Sequence, residues 1–184
     1  MIITITGKPC SGKGTTSKLF CQKYNFEYIG TGNMFREFAK QYGYDNILEF
    51  QQKSDKIKDI DNEIDNKTIE IGKTRLNDNI VFDSRLAWFF IPNSFKVFID
   101  IDDNTAAERL LNANRDTESA QDITQAKQQL QDRWLTENLR YQRIYNTDNL
   151  NLKNYDYVIS SKDLTPEEIA DKIYERYLDF IKNN

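Results

Sequence analysis

Ile2-Ile3-Thr4-Ile5-Thr6-Gly7-Lys8-Pro9-Cys10-Ser11-Gly12-Lys13-Gly14-Thr15 begins one residue into the chain, and its reading decides the architecture. Residues 2–6 are β-branched throughout and stop at Gly7, the pattern of a strand buried on both faces of a parallel sheet. From about residue 14 to residue 24 the pattern is helical. Between strand and helix lie Gly7, four residues, Gly12 and Lys13. Backbone N–H groups in such a loop turn inward around a polyphosphate, the helix N-terminus adds its positive end, and the lysine reaches the outer phosphates. This is a P-loop. The competing reading is a glycine-rich turn that binds nothing, but Gly-x4-Gly-Lys arises by chance at roughly one position in a few thousand. Its place between a predicted strand and a predicted helix makes that accident rarer still.

Outward from the loop, strands are predicted at residues 26–29, 79–83, 96–100 and 157–159. Thr31 stands where an N-cap belongs, ahead of Met34, Phe35 and Phe38 at helical spacing. Residues 47–73 read as a charged helix, 104–145 as a long polar helix or helix pair, and 165–181 as a closing helix opened by Thr-Pro-Glu-Glu. Alternating strands and helices predict an α/β domain, a parallel sheet with helices on both faces. The stretches 32–74 and 104–146 are expected to be too hydrophilic for core walls and to form flaps over a site at the strand ends.

Composition narrows the chemistry. The 184 residues contain no histidine, which excludes an imidazole base or a His-ligated metal. Cys10 and Cys21 are too few for a disulfide framework or zinc cluster, so a reducing cytoplasm is the expected location. A net charge of −4 and a pI near 5.0 argue against nucleic acid or an anionic membrane as partner. Mean hydropathy is −0.73, and the longest apolar run, residues 86–91, is far too short to span a bilayer. No targeting segment is read at the N-terminus, and a monomer is expected.

The order Gly-x-Pro-x-x-Gly-Lys-Gly-Thr resembles adenylate kinase and its relatives. Gly14 intervenes where most P-loops place a Ser or Thr on Mg²⁺, which implies a metal held largely through water and phosphate, with Thr15 and Asp83 nearby. Cys10 occupies a place commonly Gly in those enzymes; it reads as a small packing residue, with a reactive thiol as the alternative. Thr31-Gly32-Asn33-Met34-Phe35-Arg36 resembles the start of their monophosphate-binding segment. Independently of any family, a guanidinium fork one turn inside a helix suits a phosphate monoester, so Arg36 is a candidate for the acceptor.

Further motifs resemble the cytidylate kinase family, especially its short archaeal-type form. They are Asp59-Ile60-Asp61-Asn62-Glu63-Ile64-Asp65, Phe82-Asp83-Ser84-Arg85-Leu86-Ala87-Trp88, and the run from Thr136-Glu137 through Arg140-Tyr141 to Ile144-Tyr145. The resemblance implies a P-loop nucleoside monophosphate kinase fold, three layers α/β/α around a five-stranded parallel sheet in the order 2-3-1-4-5. One domain is implied, with its core at 1–30, 75–113 and 146–184, a monophosphate-binding segment at 31–74 and a lid at 114–145.

It also implies roles. ATP would lie on Gly7, Lys8, Pro9, Cys10, Ser11, Gly12, Lys13, Gly14 and Thr15, flanked by Arg109 and Arg115. The acceptor, CMP or dCMP, would meet Thr31, Gly32, Arg36, Asp61, Arg85, Arg133, Glu137 and Arg140. Lys13, Arg36, Asp83, Arg133 and Arg140 would carry catalysis, Asp83 steering Mg²⁺ and its waters. Asp83 has a second reading as a helix cap, and Arg133, Glu137 and Arg140, at i, i+4 and i+7, have one as ordinary exposed ion pairs. Ser84 stands where Gly is usual, and the Arg109–Arg115 spacing is six where relatives have four. The expected reaction is transfer of the γ-phosphoryl group of ATP; the alternatives are another acceptor, AMP, UMP or a small metabolite, and an ATP-binding module without turnover.

Overall fold

The computed structural model describes residues 1–44, 57–112 and 120–183. Five parallel strands, β1 (Ile2–Gly7), β2 (Glu27–Gly30), β3 (Ile80–Asp83), β4 (Phe95–Asp100) and β5 (Tyr157–Ser160), form one sheet in the order β2-β3-β1-β4-β5. That is the expected architecture, with helices on both faces. The helices are α1 (Lys13–Tyr24), α2 (Thr31–Gln41), α3 (Ile57–Thr74), the short α4 (Ala87–Phe90), α5 (Asp103–Asn112), α6 (Ile123–Tyr145) and α7 (Pro166–Asn183).

The central strand β1 is buried along its whole length, and its side chains alternate between two cores. Ile3 and Ile5 join Val81, Val97, Ile99, Phe20 of α1 and Ile173 of α7. Ile2 faces the other way, with Ile80, Phe82, Ala87 and Ile91. Each fully buried side chain of this size contributes about 1.5–3 kcal/mol, which is why the sheet forms from such short strands. The threonines between them are satisfied: Thr4 bonds Ser94 at 3.1 Å, and Thr6 donates to the Ser84 carbonyl at 2.9 Å. The second bond ties the end of β3 to the end of β1 and so brings Asp83 and Arg85 beside the P-loop.

Helix α7 begins as its sequence requires. Pro166 takes the first helical position, and Thr165 and Glu168 cap each other reciprocally at 2.8 and 3.2 Å. Thr31, by contrast, is not an N-cap. Gly30 holds that position without a side-chain bond, and the Thr31 hydroxyl turns back toward the Asp83 carbonyl, 3.5 Å away, serving strand β3 instead of its own helix.

The polar helices do wall small cores, contrary to expectation. Ile60, Ile64 and Thr68 of α3 are buried, the two isoleucines packing on Met34 and Ala39 of α2. Ala126 and Leu130 of α6 pack on Ala107 and Leu110 of α5, while Trp134 joins Phe98 and Trp88. A strict four-residue stripe suffices for this, and three polar residues per turn hide it from an average of polarity. The expected helix over 104–145 is a pair, α5 and α6. The part of the expected helix at residues 47–56 lies outside the described residues.

Candidate active site

The P-loop joins β1 to α1 and is bent by left-handed backbone at Cys10 (φ 62°) and Gly12 (φ 80°). A non-glycine residue in this conformation costs about 1–3 kcal/mol, so Cys10 is a position that glycine would occupy with less strain. Cys10 packs against the cluster of Ile101, Ala106 and Leu110, in keeping with the packing reading. At Gly7 any Cβ would lie 2.5 Å from the Ile99 carbonyl oxygen, so the loop can start this close to β4 only with glycine.

Lys13 forms an ion pair with Asp83 across the cradle. Burial lowers the Lys13 pKa, and the Asp83 charge opposes that fall. Tyr28 donates to the other Asp83 oxygen at 2.9 Å. A Cβ on Gly14 would come within 3.3 Å of that oxygen, so the departure from Ser or Thr leaves room for the carboxylate. The capping role falls to Ser84 instead, whose hydroxyl accepts from the N–H groups of Leu86 and Ala87 at 3.2 Å each. This gives a reason for serine where glycine is usual.

Lys13, Asp83, Arg36, Arg85, Arg133 and Glu137 surround one cavity of about 320 Å³. Arg85 is anchored twice, donating to the Gly7 carbonyl at 2.6 Å and to Glu137 at 2.8 Å, and its guanidinium carbon lies 5.4 Å from the centroid of the Trp134 ring. Glu137 also pairs with Arg133 at 3.4 Å, and Arg36 bonds Asn33. Four cationic side chains around one polar cavity make a receptor for phosphate groups.

Arg140 sits elsewhere. It pairs with Asp61 in a second cavity of about 170 Å³, whose walls include Phe35, Ile64, Phe90 and Tyr141, with Asp65 and Tyr145 as further polar groups. Thr31, Gly32, Ser84 and Arg85 line both cavities, making them two ends of one cleft. A third cavity of about 360 Å³ lies on the other side of the loop, between Gly12, Arg109 and Leu164. Arg109 is fixed there by the Ser161 carbonyl at 2.6 Å and the Cys10 carbonyl at 3.3 Å. Lys8 and Pro9 border a separate small hollow, and Lys8 is held by Asp100 at 2.8 Å. Arg115 lies outside the described residues.

Several site residues escaped sequence reasoning. Thr16 is buried and lines the third cavity, whereas Thr15 is exposed; the Oγ atoms of Ser11 and Thr16 have no hydrogen-bond partner among the described residues. Orphaned hydroxyls at a P-loop suit a bound polyphosphate. The doubled threonine after Gly14 was the available signal. Tyr28, Asp65 and Tyr145 gave none on their own.

Among the described residues no three His, Cys, Asp or Glu side chains converge as a cation cage. Magnesium carried by phosphates, waters and one carboxylate needs none, and Asp83 beside Lys13 fits that donor set. No helix among the described residues is long and apolar enough to cross a membrane.

The model of the cytidylate kinase-like family matches residues 2–163. The chain is 36% identical over 169 residues to a cytidylate kinase of Methanocaldococcus jannaschii, covering 88% of each, and 30% identical over 181 residues to one of Sulfurisphaera tokodaii, covering 98% and 97%. It is also 38% identical over 179 residues to an S-adenosylmethionine-dependent nucleotide dehydratase of Lacinutrix mariniflava; that match takes in 95% of this chain but only 35% of the relative's length. Solved structures give the fold alone: a protein of Eubacterium ventriosum (TM-score 0.72, 19% identity, 97% and 98% covered) and shikimate kinase of Aquifex aeolicus (TM-score 0.61, 19% identity, both chains fully covered).

Proposed function

The chain belongs to the cytidylate kinase-like family, and from that premise we propose that it transfers the γ-phosphoryl group of ATP to CMP or dCMP, giving CDP or dCDP. The observation that carries this reading is the continuity of the two cavities through Thr31, Gly32, Ser84 and Arg85. A cationic end beside the P-loop suits the acceptor's phosphate, and an end walled by aromatic and aliphatic side chains suits its nucleoside.

The acceptor oxygen of a monophosphate is already anionic, so no general base is required, in keeping with a chain that has no histidine. Catalysis then reduces to alignment and to neutralising charge on the transferring group. Lys13 and the loop N–H groups hold the donor phosphates, and Arg36 and Arg133 hold the acceptor phosphate against them. Arg85, braced on Gly7 and Glu137, sets the spacing between the two. Asp83 and Thr15 would hold Mg²⁺ through water, and the ion, when bound with the nucleotide, would supply further charge neutralisation. Arg140, engaged with Asp61, acts from the nucleoside end. Arg109 and Thr16 flank the donor nucleotide.

The test is a panel of CMP, dCMP, UMP and AMP with ATP and Mg²⁺, the diphosphates being separated chromatographically. CMP and dCMP are expected to react fastest; AMP turning over much faster overturns the cytidylate assignment. ATP binding without any diphosphate product would favour a binding module. The match to a nucleotide dehydratase, in which this domain spans about a third of the length, favours a second reading: a kinase of the same type acting on another nucleotide. The same panel separates the two.

A further inference from the structure

Beside the small core of Trp88, Phe98, Trp134 and Tyr155 lies a fully buried asparagine, Asn149. Its side-chain amide accepts from the Trp88 indole N–H at 2.8 Å and donates to the Arg85 carbonyl at 3.0 Å. Its main chain is tied as well. The Asn149 N–H donates to the Asn138 side chain at 2.8 Å, and its carbonyl accepts from the Tyr155 hydroxyl at 3.2 Å. Asn138 is a buried residue of α6 and directly follows Glu137, which holds the Arg85 guanidinium. Neighbouring residues of one helix thus grip Arg85 at two places, Glu137 directly at the guanidinium and Asn138, through Asn149, at the main chain.

We propose that Asn149 is a positioning residue for phosphoryl transfer: through the Arg85 carbonyl it fixes the backbone from which the Arg85 guanidinium enters the cleft. The inference rests on the kinase reading above and extends it to a residue that lines none of the cavities described. An amide is a poor choice for packing alone. Buried, it must be hydrogen-bonded or it costs free energy, whereas a leucine of similar shape carries no such obligation. Nor is Asn149 needed to satisfy the Arg85 carbonyl, which also accepts from the Trp88 indole at 3.1 Å. The amide adds direction: Arg85, Trp88 and Asn149 bond one another in a closed triangle, in which no member turns alone. An arginine has several rotatable bonds beyond its Cα, and a functional constellation must be held to within about 0.5 Å, so the backbone under Arg85 has to be fixed as firmly as its tip.

The experiment measures single-turnover rates with ATP, Mg²⁺ and CMP at enzyme excess for the wild type, Asn149→Leu, Arg85→Ala and the double variant, with melting temperature and ATP affinity beside each. Asn149→Leu is expected to bind ATP as the wild type does and to transfer the phosphoryl group about tenfold or more slowly. In the Arg85→Ala background the same substitution should cost nothing further, because no guanidinium is left to place. Asn154→Ala is the control for loop stability: Asn154 donates to the Asp148 carbonyl at 2.8 Å and steadies the same loop without touching Arg85, so the rate should be unchanged while the melting temperature falls. If Asn149→Leu does not fold, Asn149→Asp takes its place, since it still accepts from Trp88 but has no N–H for the Arg85 carbonyl. A wild-type rate in the folded variant, or losses that multiply in the double variant, overturn the inference. A wild type that makes no CDP overturns the kinase reading and this inference with it, a result distinct from CDP formed at an unchanged rate.

Discussion

The hydroxyl of Tyr28 donates to Asp83 at 2.9 Å while the Lys13 ammonium takes the other oxygen of the same carboxylate. Burial, and then the Asp83 charge, raise the Tyr28 pKa, so the phenol remains a donor throughout the physiological range. Asp83 is therefore held from two sides, by a residue of the P-loop helix and by one of the edge strand β2.

Tyr28→Phe leaves the ion pair but frees one carboxylate oxygen to rotate. A hydrogen bond to a charged group is worth about 1.5–3 kcal/mol, so kcat is expected to fall by about tenfold, with KM for CMP little changed. The concentration of Mg²⁺ giving half-maximal rate should rise. A Mg²⁺ titration with an unshifted midpoint would show that Tyr28 does not orient Asp83.

Gly30 reaches the same carboxylate indirectly. A Cβ there would lie 2.7 Å from the Tyr28 hydroxyl oxygen, at the far end of a side chain that can swing away. Gly30→Ala is expected to fold and to reproduce the Mg²⁺ shift of Tyr28→Phe. Because both changes act through one hydrogen bond, the double variant should be no worse than the weaker single one. Additive losses in the double-mutant cycle would separate Gly30 from Tyr28.

Lys13 and Asp83 are both largely buried, with side chains 19% and 9% exposed. Removing either partner leaves an unpaired charge, which costs about 3–5 kcal/mol in a buried pair. Lys13→Met and Asp83→Asn should each lower the melting temperature, and the double variant should regain part of the loss. Activity behaves differently: Lys13→Met is expected to lose about a thousandfold or more in kcat, with no recovery in the double variant. Recovery of turnover there would remove Lys13 from the chemistry.

The two thiols should react differently. Cys21 is 7% exposed, and burial pushes its pKa up to about 12. Cys10 lines the cavity beside Gly12 and Arg109. Iodoacetamide at neutral pH is expected to modify Cys10 alone, as read by peptide mass spectrometry, and ATP should slow that reaction. Labelling indifferent to ATP would separate Cys10 from the donor site.

What the sequence revealed follows the range of the interactions. The β-branched run 2–6 and the glycine–lysine spacing after it are local, so strand, loop and helix were legible together with the place of Lys13 at the start of the helix. Arg36, Arg85, Arg133 and Glu137 were legible through motif order, and they meet around one cavity. The roles of Tyr28 and Gly30 depend on β2 lying alongside β3 with Gly30 opposite Asp83, a register no local pattern encodes. Asp65 and Tyr145 lie on α3 and α6, 80 positions apart, and meet only through the packing of two helices that looked too polar to pack. Thr31 was misread for a related reason: its spacing is that of a cap, but its hydroxyl turns to a strand distant in sequence.

Asp65 also predicts how stability depends on pH. Its pKa is raised in the folded protein, chiefly by desolvation, so the folded state binds its proton more tightly than the unfolded chain does. As pH rises from the unfolded carboxylate value, about 3.9, through the folded one, the unfolded state releases this proton first and stability is lost; above both values the loss is complete. Asp65→Asn has no charge to desolvate and can still accept from Tyr145. Its melting temperature at pH 7 is therefore expected to exceed that of the wild type. The advantage should shrink as pH falls through the folded pKa toward the ordinary carboxylate range. A carboxylate that weakens the fold at neutral pH is what a group retained for its ligand looks like. A variant no more stable than the wild type at pH 7, or one whose advantage grows toward acid, would mean that Asp65 is adequately satisfied in the unliganded fold.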